Sequence, residues 1–309
     1  MHSHADAVLR KRFVISMLLT SAILVAEVVG GIWTGSLALL SDAAHVFVDV
    51  FALGLSYFAM SMAARPADFR HTYGYHRVEV LAALVNGSLL GVIVIEILRE
   101  AWDRWSRPNA IKSTEMLVIA VIGLGVNLLV AFVLGGHRHE HEGKSVHSDS
   151  KNLNVHSAYL HVLGDAAASV GVILAALVIH YTGWLWVDPL TSVFISVLIS
   201  LGAWRVLKSS LHILMEGVPQ DLSLEEVADA ILSVPGVREV HDLHVWSICP
   251  ENVALSAHLI PDESSVSGEE IMEEIKHRLH DRFGIDHTTI QVEQVGCGQG
   301  ESFGKSGAA

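Results

Sequence analysis

Six apolar runs fill the first two thirds of the sequence, near 13 to 33, 36 to 62, 78 to 98, 114 to 135, 157 to 180 and 184 to 205. A helix rises about 1.5 Å per residue, so each run is long enough to cross a hydrocarbon core about 30 Å thick. Lipid offers no hydrogen bonds, which leaves the helix as the form in which such a run satisfies its own backbone. Composition points the same way: 51% of the 309 residues are hydrophobic and 17% charged, with a mean hydropathy of +0.45, above what a water-soluble domain of this length carries. The expectation is an α-helical membrane protein whose residues 13–207 form a six-transmembrane-helix bundle after an N-terminal arm, 1–12. Six crossings leave both termini on one side of the bilayer.

Lys and Arg beside the runs choose that side. Eleven flank the face that holds the termini: Arg10, Lys11, Arg12, Arg65, Arg70, Arg77, Arg138, Lys144, Lys151, Arg205 and Lys208. Four flank the other, Arg99, Arg104, Arg107 and Lys112. Positive-inside bias therefore puts the arm and the tail in the cytoplasm, and in a bacterium the protein in the inner membrane. No A-x-A-like cleavage site follows the first run, and Glu27 within it suits a permanent helix better than a signal peptide. The net charge of −13 is concentrated after residue 215, which argues against nucleic acid as a partner. Cys249 and Cys297 are the two cysteines; on the cytoplasmic side they imply no disulfide framework.

Two of the runs carry ionisable pairs at a spacing of four: His45 with Asp49, and His161 with Asp165. Residues i and i+4 share a helix face, so each helix offers an imidazole and a carboxylate to one point. Ionisable groups inside a membrane mark ion pathways, and two His with two Asp suit a tetrahedral zinc-type cation. Such a shell has formal charge near zero once the ion is bound, which lowers the cost of holding it away from water. Metal and protons compete for the same atoms, because both ligand types bind metal only when deprotonated. Imidazoles move preference toward zinc, cobalt, nickel or copper and away from manganese. A divalent metal/proton antiporter follows.

The tail, 208–295, reads as a small α+β domain in the order αββαβ, followed by a flexible stretch, 296–309. Ser223 with Glu226 and Ser267 with Glu270 have capping-box spacing and start two helices. Residues 238 to 248 and 252 to 260 form a hairpin around Cys249-Pro250-Glu251, with Val253, Leu255, Ala257 and Leu259 alternating onto one face. Ile271, Ile275, Leu279 and Phe283 step by four along the second helix, and 288 to 295 returns as a strand.

The runs SLALLSDAAHVFVD (36 to 49), ARPADFRHTYGYHRVEVLAA (64 to 83), SAYLHVLGDAAASVGV (157 to 172), GWLWVDP (183 to 189) and HDLHVWSI (241 to 248) resemble the cation diffusion facilitator family, in its zinc-exporter branch. The resemblance covers nearly the whole chain. It implies six spans, a cytoplasmic ferredoxin-like domain, a homodimer, and exchange of divalent metal for protons by alternating access, with zinc as transported substrate and cobalt and cadmium open. It also implies a zinc site in the tail at His241, His258 and Glu293, where zinc acts as a regulatory ion; strand parity independently lets these three meet on one sheet face. His244 and His287 lie near, and Gln291 stands where some relatives have a His ligand. In the loop between runs two and three, some members bind metal through an Asp and two His. Here the candidates are Asp68, His71 and His76, with Tyr75 at the position expected for the second His.

Between runs four and five, 136–156 is polar, unperiodic and rich in His and Glu. His137, His139, His141 and His147, with His156 nearer the membrane and His2 and His4 in the arm, suit loose capture of metal before delivery. Asp42 attracts the cation at the pore mouth or satisfies backbone groups. Glu27, Glu96 and Asn127 read as interhelical hydrogen-bond partners, and Gly87 with Gly91 as a packing GxxxG. Two other classes compete: a membrane-anchored metal sensor, and a zinc-dependent membrane enzyme. The enzyme would want HExxH or an equivalent base beside an open zinc position, and no HExxH occurs. The expected partners are therefore a second copy of the chain, the lipid bilayer, divalent metal ions and protons.

Overall fold

A computed structural model describes residues 2–135, 166–262, 267–296 and 302–304. Six helices come first: α1 (His2–Thr34), α2 (Leu37–Ala63), α3 (Arg77–Ser106), α4 (Ser113–Gly135), α5 (Ala166–Thr182) and α6 (Val187–Leu214). Then follow α7 (Leu224–Leu232), β1 (Val237–Cys249), β2 (Asn252–Pro261), α8 (Gly268–Phe283), β3 (Ile285–Val292) and β4 (Ser302–Gly304). Two compact units divide the chain. One holds Met1–Leu55 and Val85–Arg205, the other Ser56–Leu84 and Val206–Ala309.

Among the described residues α2, α3 and α6 are long and apolar enough to cross a membrane, and Leu18–Thr34, Ser113–Leu129 and Ala166–Thr182 are shorter apolar stretches. The described residues thus place a helix in each of the six expected runs, three of them at full crossing length, with the run 157 to 180 described only from residue 166. Two boundaries differ from the sequence reading. α1 begins at His2, because Arg10, Lys11 and Arg12 are good helix formers and nothing breaks the helix before the apolar run. α6 continues to Leu214, past 207, since no breaker precedes Gly217 and Pro219.

The core of the first unit gathers Ala38 and Leu39 of α2, Met116 and Ala120 of α4, Ala168, Val172, Ala175 and Ala176 of α5, and Ile195 and Ile199 of α6. Four alanines or valines on α5 keep its neighbours close, which is how helices associate where lipid removes the hydrophobic drive. Close approach also occurs at Gly30, where a Cβ would lie 2.5 Å from Ile119 Cδ1. At Gly91 a Cβ would meet nothing within 4 Å, so the packing expected of the GxxxG in α3 is not made there by the described residues. Large apolar side chains such as Val29, Ile32, Ile95 and Leu201 point outward, as lipid-facing residues do. Trp105, Trp184 and Trp186 stack or meet edge to face at the helix ends, in the manner of an interfacial aromatic belt.

The first unit is clamped by one carboxylate. Asp188, in the first turn of α6 and fully buried, accepts from Ser36 Oγ at 2.6 Å, the Leu37 amide at 2.8 Å and the Ala38 amide at 3.1 Å. It thereby caps the N-terminus of α2, whose first amides have no partner in their own helix. Arg104 Nη1 stands 3.7 Å from the same carboxylate and also donates to the Gly35 carbonyl.

In the second unit the tail domain forms a four-stranded mixed sheet in the order β3-β2-β1-β4, with β1 antiparallel to β2 and β4, and β2 parallel to β3. Its core joins Val227 and Ile231 of α7 to Ile271, Ile275 and Leu279 of α8 and Leu255, Ala257 and Leu259 of β2, the last six being residues whose spacing predicts it. Ser267 and Glu270 make the reciprocal capping box, while Ser223 accepts from the Glu226 amide and gives its hydroxyl to Glu225 instead. That bond holds the Glu225 carboxyl below its usual range. β4 is an addition: it falls within the stretch read as a flexible tail, and its three residues pair with Glu239, Val240 and His241.

Candidate metal centre

α2 places His45 Nε2 3.7 Å from Asp49 Oδ2, one turn apart and both partly buried. This is the pairing that i and i+4 spacing dictates. His161 and Asp165 lie outside the described residues, as do His137, His139, His141, His147 and His156. Asp42 is buried and accepts from Ser169 Oγ at 3.0 Å, tying α2 to α5. Glu27 is fully buried, its carboxyl oxygens without a hydrogen bond, in space left by the missing side chain of Gly123. Among the described residues the interhelical bond expected of Glu27 is therefore not made, and Glu96 pairs within its own helix with Arg99 at 3.2 Å.

In the loop after α2, Asp68 organises a local turn. It accepts from the Tyr75 hydroxyl at 2.8 Å and from the amides of His71 at 2.7 Å and Arg70 at 2.8 Å, with His71 Nδ1 at 3.3 Å. The tyrosine hydroxyl first, then the two amides, hold its carboxyl down at about 2. The same bond pushes the Tyr75 hydroxyl up. Asp68, His71 and His76 do not gather within 4.8 Å of one another; the Tyr75 hydroxyl occupies the carboxylate oxygen that a further ligand would leave free.

The tail domain does gather three ligands. His241 on β1, His258 opposite it on β2 and Glu293 just after β3 bring their ligand atoms within 4.8 Å, the one such group among the described residues. His241 and His258 are register partners, and the Glu293 amide is fixed to the Leu259 carbonyl at 2.8 Å. His241 Nε2 is 3.2 Å from Glu293 Oε2, and His258 Nδ1 is 3.1 Å from Glu293 Oε1. Zinc bonds of about 2.0–2.1 Å set tetrahedral ligands roughly 3.3 Å apart, and the two rings approach the two Glu293 oxygens at close to that separation. Two borderline nitrogens and one carboxylate fit such an ion. Gln291 Nε2 steadies Glu293 at 2.7 Å. His244 pairs with Asp242, and His287 meets the Tyr73 ring edge; neither joins the cluster.

Sequence reasoning missed Asp188 and Asp242. Asp188 sat in plain view in GWLWVDP, but its partners lie about 150 residues away. Asp242 has φ +48° in an irregular stretch of β1, a backbone feature no side-chain pattern announces.

Comparison with known proteins completes the argument. Residues 13–215 match the family model described as the cation efflux transmembrane domain, and 219–295 the one described as the cation efflux protein cytoplasmic domain. The metal cation efflux system protein CzcD of Cupriavidus metallidurans is 43% identical over 288 residues, 93% of this chain and 88% of that one. A cadmium, cobalt and zinc/H(+)-K(+) antiporter of Bacillus subtilis is 40% identical, covering 94% and 91%. The zinc transporter ZitB of Escherichia coli is 40% identical, covering 96% and 93%. With both of its regions matched and relatives alike along nearly their whole length, this chain belongs to the cation efflux, or cation diffusion facilitator, family of membrane transporters.

Proposed function

We propose that the protein is a metal/proton antiporter that exports divalent cations, zinc foremost, from the cytoplasm by alternating access. The observation that carries this is the His45–Asp49 pair on α2, an imidazole and a carboxylate on a membrane helix of a chain whose relatives bear the names zinc transporter and cadmium, cobalt and zinc/H(+)-K(+) antiporter. His161 and Asp165 complete the site from the fifth of six spans. Cytoplasmic metal displaces protons from the four side chains, and protons arriving from the other face displace the metal. Cobalt and cadmium compete for the same ligands.

The remaining groups serve that cycle. His137, His139, His141 and His147 concentrate zinc near the cytoplasmic mouth, with Asp68, His71 and His76 as a further contact on the way in. His241, His258 and Glu293 hold a regulatory zinc in the tail of a homodimer whose termini are cytoplasmic. The test is flux in sealed proteoliposomes with an imposed proton gradient. The parent moves zinc against its own gradient, and Asp49→Ala and Asp165→Ala abolish this while leaving the fold intact; near-parental flux in either variant refutes the assignment.

A further inference from the structure

Strand β1 sets a carboxylate behind each histidine of the tail cluster. His241 turns Nε2 toward Glu293, and its other nitrogen, Nδ1, lies 3.8 Å from Glu239 Oε1. His258 does the same with the nitrogens exchanged: Nδ1 faces Glu293, and Nε2 lies 3.8 Å from Asp242 Oδ2. The two carboxylates flank His241 in sequence, yet they serve different rings. Regular alternation would send the residue after His241 toward the core. Instead β1 carries one residue more than β2 between the pairs His241/His258 and His244/Ser256, and Asp242 adopts the left-handed backbone that Asp tolerates better than most side chains. A bulge of this kind re-aims a side chain, here onto the face of His258.

Each ring therefore lies between two carboxylates, its near nitrogen toward Glu293 and its far nitrogen toward Glu239 or Asp242. His241 Nδ1 is buried and has no hydrogen bond. A metal on the near nitrogens requires each neutral ring to carry its proton on the far one. Each far N–H then faces a carboxylate within 4 Å. Metal-bound histidines characteristically donate in this way, which fixes the tautomer and raises ligand basicity.

We infer that Glu239 and Asp242 are positioning residues for the tail zinc site, selecting the tautomers in which His241 binds through Nε2 and His258 through Nδ1. The inference rests on the zinc reading of the tail proposed above. It is tested on the full chain in detergent, with Asp49→Ala and Asp165→Ala removing the transport site, by zinc competition against a chelating indicator and by 15N spectra of labelled histidine. Glu239→Gln and Asp242→Asn each weaken tail zinc binding by about 10–100-fold, with zinc-free melting unchanged. Asp242→Gly, which keeps the backbone unstrained, weakens it likewise. The effect of Glu239→Gln vanishes in a His241→Ala background, and with zinc bound the ring protons lie on His241 Nδ1 and His258 Nε2. Parental affinity in Glu239→Gln and Asp242→Asn, or an equal loss with and without His241, or metal on the opposite nitrogens, overturns this inference alone. Parental zinc binding in a His241→Ala, His258→Ala, Glu293→Ala triple variant overturns the tail site as well.

Discussion

The Asp188 carboxylate holds three donors at the N-terminus of α2 that have no other acceptor in the helix. Asp188→Ala strands them in a buried site, and each stranded donor costs about 1–3 kcal/mol. The variant should therefore unfold earlier in a detergent melt by at least ~2 kcal/mol, with Asp188→Asn between it and the parent. A parental melt for the alanine variant would mean that the cap carries little energy. At His45 the expectation concerns selectivity rather than stability. His45→Asp replaces a borderline nitrogen with an oxygen and adds charge, so competition for zinc flux by cadmium and manganese should rise; an unchanged metal ranking places selectivity elsewhere. His45 and Asp49 were legible because helical periodicity alone brings i to i+4. Asp188 was not, because only tertiary packing brings α6 to the start of α2.

The same contrast separates one element from another. α8 declared itself through the Ile271, Ile275 and Leu279 period and its capping box, and β2 through strict alternation. β1 hid its core face: its register shifts three times against β2, so Val237, Val240, Leu243 and Val245 reach one core at intervals of three, three and two. β4 has three residues and no pattern, and exists only as a partner of β1. The loop between α2 and α3 offers candidate metal ligands in its sequence, while its order comes from Asp68 accepting from Tyr75 and two amides. A carboxyl lowered from 3.8 to about 2 binds protons less readily when folded than when unfolded. Its contribution is thus present above the unfolded value and lost as pH falls through the folded one. Exchange protection of the Arg70 and His71 amides should hold from neutral pH down to about 4 and disappear between about 4 and 2. In Tyr75→Phe, which loses the largest of the stabilising bonds, that loss should begin at higher pH; an unshifted profile would remove Tyr75 from the account.

At the scale of the whole molecule, the question is what the tail does to a pair of protomers. Between residues 216 and 293 there are seventeen Asp and Glu against four Lys and Arg, so two tail domains brought together by a two-fold axis repel. Zinc bound at the proposed site of His241, His258 and Glu293 would add positive charge to each, and it would favour the closed pair only by as much as it binds that pair more tightly than the open one. Moving the pair from one part closed in ten to nine in ten needs a differential affinity of roughly 80-fold, about 2.6 kcal/mol. That is within reach of one ion on each protomer with partly desolvated ligands. Spin labels at Lys276→Cys, an exposed position on α8, should report a shorter inter-protomer distance when zinc is added to the full chain in lipid nanodiscs. The His241→Ala, His258→Ala, Glu293→Ala variant should keep the long distance at every zinc concentration that closes the parent. If it closes to the same distance, the acidic surfaces are neutralised elsewhere, and the tail site is not the device that draws the protomers together.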